Sequence, residues 1–399
     1  MDANATTPLL PEVFEAMRPF WMEHFGNASS IHQPGQQARG AVEQARSSVA
    51  RFLRCLNSEI VFTSGGTESD NLALFGVLSP EISTGPVHLI TTSIEHHAVL
   101  HAAESLARRN STHGHDVEVT FLPSTSQGIV EPAALRDAIR PNTKLVSIMF
   151  ANNETGVIQP IPELAAIAHA AGALFHTDAV QASGKLPLDL SADGPLKDVD
   201  LLTISGHKLY APKGIGALFV RRNVRLAPMF HGGTHERQRR AGTENVACIV
   251  GLGKATELAS TWLTTNGPAE LTALRDRFEQ ALLSQIDGSG VNGTNAPRVS
   301  NTSNLYFDHL EAEALVIALD LKGLSASGGS ACQSGAAEPS HVLTAMGLSP
   351  ARARASIRFS LSRLTTAEEV DEALKIIPTA VARLRELSPA YRKSVAIEA

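Results

Sequence analysis

The sequence predicts an α/β fold with a mainly parallel central sheet and a smaller α+β C-terminal domain. Three observations predict it. From Glu59 to Val220, short β-rich runs alternate with helical patterns, which is how strands joined by crossover helices read. Leu145–Phe150 is a continuous apolar run, as expected of a strand buried on both faces. After about Gly253 the texture changes to longer helical faces and isolated strands. Residues 16–253 are assigned to a large domain, and residues 1–15 with 254–399 to a small one.

The elements follow in order. Ile60–Thr63 reads as a strand, Thr67–Val77 as a helix and Val87–Thr91 as a strand. Val99, Leu100, Ala103, Leu106 and Ala107 fall on one helical face. Val117–Leu122 is a strand, and a Ser126-Gln-Gly128 turn leads to a helix from Pro132. Beyond Leu145–Phe150, a face of Leu164, Ile167, Ala168 and Ala171 marks a helix closed by Gly172 at the position after the C-cap. Ala173–His176, Leu201–Ile204 and Ile215–Val220 complete the strands of the large domain. In the small domain Leu271, Leu274, Phe278 and Leu282 line a helix, and Asn304–Phe307 and Ser356–Ser360 are strands. Thr366 with Glu369 forms a capping box for a helix carrying Val370, Ala373, Leu374 and Ile377, which Pro378 should kink or end.

Composition narrows the function. The 399 residues are 43% hydrophobic and 19% charged, ordinary for a soluble globular protein. A net charge of -6 argues against nucleic acid or anionic membrane as the main partner. No apolar run is long enough to span a bilayer, and the N-terminus carries no secretory or transit pattern. The three cysteines, Cys55, Cys248 and Cys332, are far apart. That excludes a disulfide framework or a multi-cysteine metal site within one chain, and fits a reducing cytoplasm.

Candidate chemistry begins at Leu202–Tyr210, the end of a buried strand and a polar turn carrying Lys208. A lysine desolvated among apolar groups has a lowered pKa and becomes an amine nucleophile, able to form a Schiff base with a carbonyl cofactor such as pyridoxal phosphate. The plain alternative is a surface lysine after a strand. Ser64-Gly-Gly-Thr-Glu-Ser69 lies between a strand and a helix, where glycines and free N–H groups suit a phosphate or simply a turn. Glu95-His-His-Ala98 opens a helix; its histidines stack on a cofactor, shuttle protons or cap the helix, and their adjacency argues against shared metal ligation. Asn152-Asn-Glu154 and Thr177-Asp178 follow strand ends, where open parallel sheets bind ligands. Asp178 alone reads as a helix cap; beside Lys208 it reads as the partner of a protonated pyridine nitrogen. Cys332 sits in Ser325–Ala337, a run of small residues expected to be mobile, where a thiol can reach and attack. Cys55 and Cys248 read as inert packing. Arg358, a charge among apolar strand residues, needs a carboxylate from the protein or from a substrate.

Taken together these residues resemble the NifS/IscS-type cysteine desulfurases, members of the class V aminotransferases with the fold type I of pyridoxal-phosphate-dependent transferases. The resemblance runs from Asn4-Ala-Thr-Thr-Pro8 to Leu384–Pro389. It includes Phe25-Gly-Asn27, Thr63–Ser69, Glu95-His96, Asn152–Glu154, Thr177-Asp-Ala179, Ser205-Gly-His-Lys208, His231-Gly-Gly233, His235-Glu-Arg237, Gly242-Thr243, Ser330-Ala-Cys332 and Glu338-Pro-Ser340. It implies Lys208 as Schiff-base lysine and base at the substrate Cα, Asp178 on the pyridine nitrogen and Gln181 on the ring oxygen. His96 would stack on the ring and assist proton transfer. Gly66, Thr67, Ser205 and His207 would hold the phosphate, and Asn153 would touch cofactor or substrate. Thr243 would reach the cofactor of a second subunit, making a homodimer. Arg358, joined by Asn27, would bind the substrate carboxylate, and Cys332 would accept sulfur from L-cysteine, releasing L-alanine. A sulfur-acceptor protein, an iron–sulfur scaffold or a thiolation carrier, is the implied partner.

Departures from the pattern are local. Members of the family usually carry several residues before the position of Asp2, completing a first strand. Gly328-Gly329, Gln333 and Thr234 replace more usual residues, and the tail Tyr391–Ala399 differs from the scaffold-docking ending of the housekeeping members. Two other readings remain open at this stage. A selenocysteine lyase or small-amino-acid aminotransferase shares the fold, but an aminotransferase has no need of Cys332. A non-catalytic sulfur carrier would have no need of Lys208 and Asp178.

Overall fold

The computed structural model describes residues 1–82, 85–108, 116–328, 339–388 and 391. Helix α1 (Pro11–Met22) starts on a proline, whose missing N–H costs nothing in a first turn. Helix α2 (Gln33–Leu53) is capped by the His32 ring, which accepts the Gly35 N–H at 3.3 Å, and buries Ala38, Val42, Ala45, Val49 and Phe52. There follow β1 (Ile60–Thr63), α3 (Gly66–Val77), β2 (Val87–Thr92), α4 (His97–Arg108), β3 (Val117–Leu122), α5 (Pro132–Ala138) and β4 (Thr143–Ser147). Next come α6 (Ile161–Ala170), β5 (Leu174–Asp178), β6 (Leu201–Ser205), β7 (Gly216–Val220) and α7 (Val246–Leu263).

These strands form one sheet in the order β1-β7-β6-β5-β4-β2-β3. The β2–β3, β2–β4, β4–β5 and β5–β6 pairs are parallel, while β7 runs antiparallel to both β6 and β1. The run Leu145–Phe150 leaves the ladder after Ser147, yet Ile148 and Phe150 still donate backbone bonds to His176 and Asp178, at 3.1 and 2.8 Å. Gly172 adopts φ 76° after α6, the left-handed turn that glycine adopts without steric cost.

The second layer comprises α8 (Gly267–Gln285), β8 (Ser289–Val291), β9 (Thr302–Phe307), α9 (Ala312–Asp320), β10 (Ser327–Gly328), α10 (His341–Ala345), α11 (Pro350–Arg354), β11 (Ser356–Ser360) and α12 (Ala367–Leu387). Its sheet has the order β10-β11-β9-β8 and is antiparallel. Phe278, Phe307, Phe359, Val370 and Ile377 form its core. Thr366 and Glu369 make the expected capping box. Pro378 does not end α12, which continues to Leu387. One lost backbone bond is outweighed because Ala380 and Val381, beyond the proline, are as buried as Ala373 and Ile377 before it.

The first residues join both layers. Asp2 bridges Ser360 beside β11, and Met1 packs on the small core. Leu10, Val13 and Met17 lie in the large core, and α1 packs on α7. The loop after β4 locks the layers together: Ile158 donates to Pro297 O at 2.8 Å, and Val299 to Gly156 O at 2.9 Å.

Candidate active site

Lys208 occupies a single helical turn, residues 206–208, directly after β6. Its ammonium donates to the carbonyls of Asn4 at 2.5 Å and Ala5 at 2.6 Å. Asn4 therefore belongs to the site, and the sequence reading missed it. Its own side chain is fully used. Nδ2 donates to Asn153 O at 3.1 Å and Thr302 Oγ1 at 2.8 Å, while Oδ1 accepts from Asn301 at 3.0 Å and Lys185 at 3.2 Å. The polar run Asn4–Thr7 was the available signal; nothing in it reveals partners some 300 residues away.

Gln181 is buried and donates through Nε2 to Asn4 O at 3.1 Å. Asp178 ends β5, and its Oδ1 accepts the Val180 N–H at 2.8 Å, as a capping aspartate would. Burial pushes its pKa up to about 6, against the Val180 bond and the charge of Lys208. Behind it lie two more buried acids. Asp70 is held well above the usual carboxylate range by burial and by Asp178, and Glu95 is raised by burial to about 8. The His176 ring between the strands bonds Ser147 at 2.8 Å and Thr203 at 3.2 Å, and burial keeps it neutral down to about pH 3.

His96 caps the start of α4, its Nδ1 accepting the Ala98 N–H at 3.1 Å. The surrounding protein lowers its pKa to about 4, with His97, Lys208, His341 and His101 adding repulsion. His97 stacks on His101 at 4.8 Å and faces His341 at 4.7 Å, a column that the sequence reading did not find. His207 is likewise held neutral, to about 4, by burial and then by Lys208 and Lys213.

At the start of α3, Gly65 has φ 155°, and a Cβ on Gly66 would come within 3.0 Å of Val180 and 3.6 Å of the Ser205 side chain. The two glycines leave a cradle of backbone N–H groups beside buried Ser205 and exposed Thr67. Arg358, on β11, pairs with Asp2 at 2.9 Å and donates to Asn153 O at 3.0 Å. Among the described residues Arg358 Nε and Asn153 Oδ1 are buried without a hydrogen-bond partner.

Lys208, Gln181 and Asn153 thus meet on Asn4, Arg358 joins through Asn153, and Asp178 and His96 feel the charge of Lys208. Asn27 and Thr243 are exposed on other loops. Asn27 Oδ1 accepts the Ser29 N–H, and Ser29 Oγ meets the His235 ring at 3.0 Å, so the two loops are joined to each other. In the second loop Glu236, Arg237 and Gln238 all have left-handed backbone, near φ 47°, 56° and 66°. A buried Arg46–Glu236 pair, bidentate at 2.8 Å, holds that strain. Cys332 lies outside the described residues. Burial pushes the thiol of Cys55 up to about 12 and that of Cys248 upward, so neither is a ready nucleophile.

The aminotransferase class-V family matches residues 1–373. Among curated proteins, cysteine desulfurase IscS of Methanosarcina thermophila is 48% identical over 389 residues, 98% of this chain and 93% of the relative. A cysteine desulfurase of Gluconacetobacter diazotrophicus is 47% identical over 390 residues, 98% of this chain and 94% of its own. Among solved structures, a NifS-like protein superposes with a TM-score of 0.86 at 35% identity, covering 96% of this chain and 99% of its own. SspA in complex with cysteine superposes with a TM-score of 0.78 at 37% identity, covering 92% and 99%.

Proposed function

The chain belongs to the aminotransferase class-V family, and from that membership we infer a pyridoxal 5′-phosphate-dependent cysteine desulfurase. The observation that carries the reading is the near full-length identity to proteins of that name, joined to a strand-end cluster of lysine, aspartate and arginine.

The residues present fit the cofactor. The glycine cradle at α3 has room for a phosphate, which Gly66, Thr67, Ser205 and His207 would hold. The buried Asp178 acid suits a basic ring nitrogen, and Gln181 and His96 would flank the ring. When bound, the cofactor supplies an electron sink for charge developing at the Cα of an amino acid. Lys208 attaches the cofactor and moves the proton at the substrate Cα. Neutral His96 can accept or deliver a proton beside it. The unpartnered Nε of Arg358 and Oδ1 of Asn153 suit the carboxylate and ammonium of an amino acid, which competes with Asp2 for the guanidinium.

Cys332 completes the reaction as thiolate. The carbon–sulfur bond of L-cysteine breaks, a sulfur–sulfur bond forms on Cys332, and the carbon skeleton leaves as L-alanine. The persulfide then passes to an acceptor, an iron–sulfur scaffold or a thiolation carrier, in the cytoplasm. No helix among the described residues is long and apolar enough to cross a membrane. A homodimer is supported by exposed Trp21, Met22, Phe25 and Ile31 around Asn27, a patch that a second copy would cover. Thr243 would then serve the neighbouring site.

A single-turnover assay with L-cysteine tests this, following alanine and the mass of the peptide containing Cys332. One alanine with one added sulfur atom is expected. Cys332→Ser should bind the cofactor and L-cysteine but form no alanine; alanine at the wild-type rate would remove Cys332 from the mechanism.

A further inference from the structure

A second lysine shares the residue that holds Lys208. Lys185 follows Gln181 by four positions, in a segment that turns through backbone bonds from Ala182 and Ser183 to Ala179 O. Its ammonium donates to Gln181 Oε1 at 2.7 Å and to Asn4 Oδ1 at 3.2 Å. Lys208 donates to the backbone oxygen of the same Asn4. Both lysines also border one small cavity with Thr7 and Ser183.

Two consequences follow from chemistry alone. The acceptors of Lys185 are amide oxygens, which bear no charge, so its positive field is not cancelled locally and falls on its neighbour. An ammonium can only donate. Gln181 must therefore turn its oxygen to Lys185 and its NH2 away, toward the Asn4 carbonyl that Lys208 also uses. We propose that Lys185 is a positioning residue for the reaction, a second amine held on Asn4 and Gln181 that, when protonated, lowers the proton affinity of the Lys208 nitrogen and sets which face of Gln181 meets the cofactor. The inference rests on the functional reading above and deepens it.

Other charges also act there. Asp178 from β5 favours the charged form of Lys208; His96 from α4 and His207 from the adjoining turn are neutral. Burial lowers Lys185 to about 7, with Lys208 and, from β11, Arg358 adding repulsion.

The test is an optical pH titration of the full-length holoenzyme, loaded with pyridoxal 5′-phosphate, read as the midpoint of the change in the cofactor absorption band. Lys185→Arg keeps a permanent charge and should titrate within about 0.3 pH unit of wild type. Lys185→Met and Lys185→Gln should titrate about one pH unit higher. Lys185→Gln retains an amide donor for Gln181 Oε1, so it isolates the charge from the orientation and decides the matter if Lys185→Met does not fold. A midpoint in Lys185→Gln equal to wild type overturns the inference and leaves the desulfurase reading intact. A wild-type protein that develops no cofactor band overturns both.

Discussion

At the scale of the residue, the proposed function makes its sharpest demands on Lys208 and Asn4. Lys208→Ala should lose covalent attachment of the cofactor and lower alanine formation by at least about 100-fold, measured by absorbance after dialysis and by amino-acid analysis. An unchanged spectrum would move the attachment to another lysine. Asn4→Ala should leave Asn301, Thr302 and Lys185 short of partners, lowering stability by about 2 kcal/mol in urea titration. A midpoint equal to wild type would mean that water replaces the amide. Lys208 and Asp178 stood out in the sequence because each lies at or just after a strand end, where side chains of a parallel sheet converge, whereas Gln181 and Ser205 entered only through the family resemblance. Asn4 was not legible, since hydrogen bonds to residues 153, 302 and 360 exist only in the folded chain. The histidine column was missed for the same reason: His341 reaches His97 from far along the chain.

Elements were legible where local chemistry is strong. The Thr366–Glu369 box reads directly, and Thr366→Ala should cost about 1 kcal/mol, visible as a lower thermal midpoint. A midpoint unchanged by that substitution would mean the end of α12 is held by tertiary packing alone. Helix α2 escaped notice because its buried face mixes Arg46 and Ser48 with apolar residues and its first turns hold Pro34, Gly35 and Gly40, which resemble a loop. Pro378 misled in the opposite direction: propensity argues for a break, and burial on both sides of it prevails. The direction of β7 could not be read either, because an apolar strand buried on both faces carries no mark of its orientation.

For the whole molecule, buried acids set the response to pH. Glu95 titrates near 8 and Glu154, bonded by Ser340, near 7, against an ordinary value of 4.5 for both. Their raised values mean that the stability they contribute is complete below about pH 4.5 and is lost as pH rises through 7 to 8. His176, lowered to about 3, acts oppositely, its contribution being complete above 6.5 and lost toward pH 3. Between pH 6.5 and 8 Glu95→Gln should therefore lose less stability than wild type, by on the order of 2 kcal/mol read from thermal midpoints. Equal slopes in wild type and variant would show that Glu95 ionises freely in the fold. The two layers and their cores follow from composition and periodicity, but the seam between them does not, and the seam is where Asn4 sits. This has a consequence for how the protein is made. Asn4 and its partner Ser360 are synthesised 356 positions apart. At about 5–20 residues per second, roughly 20–70 s separate them. The nascent large layer can acquire its sheet and Lys208 well before then, but the contacts of Asn4 around that lysine close only once Ser360 has been made.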